Sequence, residues 1–246
     1  LEGGGGTPRI SQPHLTIEGR CGDRLCDVDA GGLSRCLILW DGRLTLRGLR
    51  LLNGTTPDTG GLLETDGTTV ELENMVLQAG EAGYQGGAIR MNKGVLEVGP
   101  NVVFADNRVT STNLEAFSSD SGYIHGGGAI FLQDSRISIG DDVTFSSNAA
   151  MQSEGSGGAL AVTYVETRSG HGHYPLRLGA VTFSDNSAAN NGGAMMVKGL
   201  SKVVTKQEGG SVQRGVELHI GAGCVFADNS AGMSGGAVYV TNTAGV

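Results

Sequence analysis

Several residues of this chain are of types that could do chemistry. Asp141-Asp142 offers paired carboxylates, and Gly170-His171-Gly172-His173 offers two imidazoles. An acid and a base converging on one bond is the usual apparatus for cleaving a sugar chain. Asp106, Asp185 and Asp228 recur at one position of a repeat and could bridge calcium. Calcium takes oxygen ligands of this kind. Cys21, Cys26 and Cys36 lie close together, but they lack the paired spacing and the fourth ligand of a zinc site. A disulfide between Cys21 and Cys26, across Gly22-Asp23-Arg24-Leu25, is the first choice, with Cys36 buried and free. Cys224 reads as a small core residue.

Whether any of these groups meet depends on the elements that carry them. A Gly-Gly-Ala-apolar phrase occurs at Gly86, Gly127, Gly157, Gly192 and Gly235, and a Phe-x-x-Asn phrase at Phe104, Phe145, Phe183 and Phe226. Between them lies a third apolar patch, such as Leu96-Glu97-Val98. Each unit therefore reads as three short alternating segments divided by Gly, Pro and Asn, which is a strand signature. No window sustains a 3.6-residue period, so helix is not expected.

First strands centre on Ile38, Leu63, Ile89, Ile130, Leu160, Met195 and Val238. Three strands per turn, each stacked on its equivalent one turn later, predict an all-β fold, a right-handed parallel β-helix (solenoid) of about seven three-stranded coils. Strands at ~4.8 Å spacing give a rod of roughly 30–35 Å. The Gly pair is expected to turn a sharp corner with positive φ. Phe104, Phe145, Phe183 and Phe226 should stack in the interior. Asn107, Asn148, Asn186 and Asn229 should occupy the left-handed corner and form a ladder, each amide bonding the next.

The chain reads as one β-helix domain over residues 1–246, with an irregular entrance at 1–35 and coils over 36–246. The entrance holds strands at Leu15-Thr16-Ile17-Glu18 and Cys26-Asp27-Val28-Asp29, an incomplete first coil. It also reads as a fragment of a longer polypeptide. Insertions at 108–125, 149–156, 165–175 and 199–215 read as corner loops, the last carrying Lys202, Lys206, Glu208 and Arg214. Trp40 is expected to pack at a corner before Asp41-Gly42. Asn53-Gly54-Thr55 is the one N-glycosylation sequon, at an expected exposed corner.

On this layout Asp141-Asp142 falls between second and third strands, and His171 between first and second. They sit at different corners. The resemblance of these two stretches to polygalacturonase-type glycosidases is superficial, because the companion Asn-x-Asp and Arg-x-Lys motifs are absent. The formal charge of −8, with no basic stripe, disfavours nucleic acid. No apolar run approaches membrane-spanning length. No cofactor motif is found, and a regular Thr-x-Thr ladder, as an ice-binding face needs, is missing.

The alternation of Gly-Gly-Ala-Ile/Leu/Val with Phe-x-x-Asn resembles the repeat of chlamydial polymorphic outer-membrane proteins over roughly residues 80–240. Similar repeats occur in large extracellular proteins of algae and other protists. The resemblance implies a β-helical passenger displayed on the cell surface, with adhesion or surface architecture as its role. It supplies no catalytic residues. The expected function is a non-enzymatic extracellular module, stacking at coil ends or through loops on other chains or on further segments of the same protein, with glycans as a further partner class. A polysaccharide-binding or polysaccharide-cleaving β-helix is the alternative.

Overall fold

A computed structural model of the chain describes residues 9–10, 14–110, 125–164, 176–199, 203–206, 210–213 and 218–242. All regular elements among them are β-strands, and no described residue is helical.

The unit from Ile89 shows why. Strand Ile89–Asn92 alternates buried and half-buried residues, as the apolar Ile89 and Met91 require. Lys93 (φ 51°) and Gly94 end it. Val95–Val98 follows, with Leu96 and Val98 inward. Asn101 (φ 56°) closes the next turn, and Val102–Ala105 buries Val102 and Phe104. A fourth strand of two residues, Arg108–Val109, then precedes the next glycine corner. The repeat thus has four strands where the sequence suggested three. Two residues are too few to display an alternation, so this strand left no pattern to read.

The strands of one repeat join different sheets, and each pairs in parallel with its counterpart in the neighbouring repeat. Phe104 registers with Leu77 and Phe145, and Phe145 with Phe183. Third strands form a seven-stranded sheet and fourth strands a six-stranded one. First and second strands share one thirteen-stranded sheet, because Leu37–Arg47 and Leu63–Glu73 each run through both positions without a break. Trp40 therefore lies within a strand, half exposed, rather than at a strand end. Leu37, not Ile38, is the partner of Leu63, and Ile38 faces Glu64. Ile38 and Leu37 are both apolar, so periodicity could not distinguish the two registers.

Leu15-Thr16-Ile17 pairs with Leu44-Thr45-Leu46, and Cys26–Asp29 with Leu49–Leu52. The entrance therefore supplies a second and a third strand to the stack. Within 199–215, Val203–Lys206 and Gly210–Gln213 form an antiparallel hairpin where the sequence suggested a loop. Every other strand pairing among the described strands is parallel.

The core is a continuous column of Leu, Ile, Val, Met and Phe on the inward positions. Phe104, Phe145, Phe183 and Phe226 stack with centroids 4.6, 4.8 and 4.9 Å apart and planes within 6° of parallel. The strand spacing imposes this separation. Each fully buried Phe contributes about 2–3 kcal/mol by removal from water.

Candidate functional site

The second recurring interior column is polar. The Asn107 carboxamide donates to Asn148 Oδ1 (3.0 Å), Asn148 to Asn186 Oδ1 (3.0 Å), and Asn186 to Asn229 Oδ1 (2.9 Å). Each Nδ2 also donates back to the carbonyl one repeat earlier: Leu77, Phe104, Phe145 and Phe183 in turn, at 2.9–3.0 Å. Each Oδ1 also accepts from a backbone N–H of the preceding repeat: Gly80 to Asn107, where this is the one bond, then Asn107 to Asn148, Asn148 to Asn186 and Asn186 to Asn229. Asn107, Asn148 and Asn186 are fully buried. Asn148 and Asn186 use two donors and two acceptor sites, and Asn107 uses two donors and one acceptor site, so every carboxamide N and O of the three has a partner.

The left-handed corner residue is not the Asn but the residue before it: Asp106, Ser147, Asp185 and Asp228 have φ of 54–57°. The short polar side chain tolerates that backbone, and the Asn is thereby freed to point inward. This accounts for the Asp column without calcium. Among the described residues no group of three or more His, Cys, Asp or Glu is placed to hold a metal.

The two corner glycines have different reasons. Gly86 has φ +64°, as expected of a turn, and its equivalents Gly127, Gly157, Gly192 and Gly235 match it. Gly87 lacks a positive φ; a Cβ there would lie 2.1 Å from the Gly128 carbonyl oxygen. The second glycine is demanded by close backbone approach between repeats, not by the turn. The Ala that follows is small because Asn shares its space. Where Leu62 replaces Ala, the Asn position is Gly on both sides, and a Cβ at Gly54 or Gly80 would meet the Leu62 side chain at 2.8–2.9 Å.

Asp141 and Asp142 do lie at the corner between second and third strands. Asp141 Oδ1 accepts from Ala180 N–H (2.7 Å), and Asp142 is a left-handed turn residue (φ 57°). Both are thereby engaged in corner geometry. His171 and His173 lie outside the described residues, as do Lys202, Glu208 and Arg214, and nothing described is brought to Asp141 as a catalytic partner.

On the outer faces, charges pair from one repeat to the next. Arg50 bonds Asp27 (2.7 Å), Arg108 bonds Glu81 (2.7 Å), and Arg43 bonds Glu71. The Arg108 hydrogen bond holds the Glu81 carboxyl below its ordinary range, and Arg50 does the same for Asp27. The Arg50–Asp27 pair is exposed, and the carboxylates of the other two are half-buried; solvent screening keeps the contribution of such surface pairs small. The outward position of the first strands changes character along the stack. Glu64 and Arg90 are followed by Phe131, Ala161 and Met196, which are buried, and by Tyr239 packed against them. The signal for this row was present in the sequence, as apolar residues at a position that alternation assigns to solvent.

Cys21 and Cys26 form a disulfide, with Cα atoms 5.4 Å apart. Closing so short a loop stabilises by about 2 kcal/mol at most. A recess of about 520 Å³ beside it is lined by Arg24, Asp27 and Arg50 among others. Cys36 and Cys224 are free thiols. Burial pushes the Cys36 thiol up to about 11. Its folded value lies above its unfolded one. The neutral thiol's contribution is therefore intact below pH 9 and lost as pH rises towards 11. Alkylation at pH 8 is expected to modify Cys224 and spare Cys36 until the chain is unfolded. Equal labelling of both in the folded chain would contradict this burial.

Asn53 is exposed at a corner with φ 53°, its amide donating to Asp29 (2.9 Å). One carboxamide proton remains on Asn53 if the other is replaced by a glycan.

Residues 180–194 and 223–241 match the family model of the Chlamydia polymorphic membrane protein repeat. The two stretches hold the Phe183 and Phe226 motifs and the Gly192 and Gly235 corners. No curated protein and no solved structure gives a significant match to the chain.

Proposed function

We propose that the chain is a right-handed parallel β-helix of about seven coils and a single domain, serving as a non-enzymatic structural or adhesive module outside the cell or at its surface. The observation that carries this reading is the use already made of the motif residues. The Phe, Asn, Asp and Gly of each repeat are engaged in stacking one repeat on the next. Right-handedness follows from the strong preference of parallel crossovers. Surface placement is supported by the match to a repeat of membrane proteins. Among the described residues, no helix is long and apolar enough to cross a membrane.

In this role the stack is a rigid rod, and the insertions at its corners carry recognition, since binding residues concentrate on loops of a rigid scaffold. Its partners are other protein chains or further segments of such proteins, and glycans. No cofactor is required.

The test sets this reading against a polysaccharide-active one. The chain is incubated with polygalacturonate and with neutral polysaccharides, and new reducing ends and unsaturated products are measured. The expected result is no release above the buffer blank, and no difference between the native chain and Asp141→Asn. Turnover that Asp141→Asn or His171→Ala abolishes would replace the structural reading by the enzymatic one.

A further inference from the structure

The outer face of the first strands carries a straight row unlike the interior columns. Trp40, Asp66, Asn92 and Gln133 occupy one outward position in successive repeats, each the Cα partner of the next. At the usual strand spacing the row spans about 14 Å. It faces across the stack axis, so a repeat added at either end would not cover it. Its strands, Leu37–Arg47, Leu63–Glu73, Ile89–Asn92 and Ile130–Gln133, are each paired on both edges. No main-chain edge is open here, and a ligand has to be recognised by side chains.

Those side chains combine one indole with planar polar groups. Trp40 is 50% exposed, and the other three members of the row are half-buried. Asn92 Nδ2 donates to Asp66 Oδ2 (3.0 Å), which holds the two side chains together and leaves Asp66 Oδ1 and a second Asn92 amide proton for a ligand. On the same strand as Asn92, Arg90 also faces outward. Its neighbour Glu64 does not neutralise it, because the Glu64 oxygens are taken by Arg35 (3.1 Å) and by the Thr59 hydroxyl (3.1 Å). Arg90 Nε and Asn92 Oδ1 are enclosed and lack a hydrogen-bond partner. Unsatisfied polar atoms of this kind are uncommon and costly. Both belong to half-buried residues, so a ligand hydroxyl that draws either one out relieves the cost.

An aromatic face beside planar polar groups suits a sugar, whose ring has an apolar C–H face and a rim of hydroxyls. One such side chain per strand matches a ligand that repeats along its length, and a straight row matches an extended chain. Charge selects against an acidic one. Asp66 and Arg90 offset each other locally, and the chain as a whole carries −8.

We propose that the row of Trp40, Asp66, Asn92 and Gln133, flanked by Arg90, binds an extended neutral glycan of β-1,4-linked hexoses laid along the stack axis. Trp40 stacks on one ring, and Asp66, Asn92 and Gln133 bond the hydroxyls of the rings that follow. This inference rests on the adhesive, non-enzymatic reading above and names the glycan and the face that takes it.

Trp40 is the only Trp of the chain, so its fluorescence reports on this row alone. Cellohexaose and mannohexaose are titrated into the full chain, with maltohexaose, whose α-1,4 linkage curls, and hexagalacturonate as contrasts. A saturating shift of Trp40 emission is expected with at least one of the two β-1,4 hexaoses. Asp66→Asn and Asn92→Ala are each expected to weaken that binding about tenfold, the worth of one hydrogen bond. Thr182→Ala, on the outer face of the third strands, should leave it unchanged. Calorimetry repeats the titration with Trp40→Ala, where binding is expected to be lost; the two polar variants keep the test valid should Trp40→Ala not fold. No shift with either β-1,4 hexaose at millimolar concentration overturns the proposal, as does an affinity unchanged in both polar variants. Equal or tighter binding of maltohexaose or hexagalacturonate overturns the extended, neutral ligand. Sugar recovered shortened would overturn the non-enzymatic reading on which the inference rests, whereas absence of binding overturns the row and leaves that reading standing.

Discussion

Asn148→Ala is expected to destabilise the chain by about 3–9 kcal/mol. The substitution orphans three buried groups: the Asn107 backbone N–H, one Asn107 carboxamide proton and the Phe104 carbonyl. Each such orphan costs about 1–3 kcal/mol. That is a large part of a typical domain's stability. Asn101→Ala serves as the control. Its amide bonds Asn74 (2.9 Å) at an exposed corner, and its main cost is the left-handed backbone (φ 56°), about 1–2 kcal/mol. Urea unfolding of the two variants checks the ordering. An Asn148→Ala loss no larger than the control's would mean that the column is not stabilising.

Asn148→Asp adds a pH signature. A carboxylate has no proton for the Phe104 carbonyl or for Asn186 Oδ1, so the buried group would hold its proton and its folded pKa would rise. Stability of this variant is then greatest below the ordinary carboxylate range and falls as pH rises through it. The native chain has no such change at this position.

Gly128→Ala is the second severe change. Its Cβ would lie 2.0 Å from the Gly158 carbonyl oxygen and 2.5 Å from the Ala149 nitrogen. Both are backbone atoms of paired segments, so neither can yield without breaking the pairing between repeats. A cost above about 3 kcal/mol, or failure to fold, is expected. At Gly22 a Cβ would meet nothing within 4 Å, so Gly22→Ala carries only the strain of its φ of +66°. Thermal unfolding should separate the two by at least about 4 °C. A Gly128→Ala chain that melts with the Gly22→Ala chain would remove close backbone approach as the reason for the second glycine.

Much of the all-β, parallel arrangement was legible because Phe104, Phe145, Phe183 and Phe226 recur beside alternating strands. The matching of Leu44, Val70, Leu96, Ile137, Leu176 and Leu218 across repeats was legible for the same reason, since a one-residue slip would turn each outward. The fourth strand was not, because Arg108–Val109 is too short to alternate. Nor was the division of labour at the corners. Sequence shows that Gly86 and Gly87 recur together, but only the fold shows that one turns the chain and the other admits a neighbouring carbonyl. The same holds for Asp106 and Asn107, where the backbone strain falls on the first and the buried hydrogen bonds on the second. The exchange of Ala for Leu62 beside Gly54 and Gly80 was visible as an irregularity. Its meaning needed the contact.

The most direct measurement is hydrogen exchange of the Asn carboxamide protons, followed residue by residue with nitrogen-15 labelling. If the repeats stack and consume their motif residues, the carboxamides of Asn107, Asn148 and Asn186 exchange slowly, and Asn229 exchanges much faster than the three. Exchange of all four at the rate of an exposed asparagine such as Asn101 would show that the column does not hold the repeats together, and would contradict the architectural reading at its base.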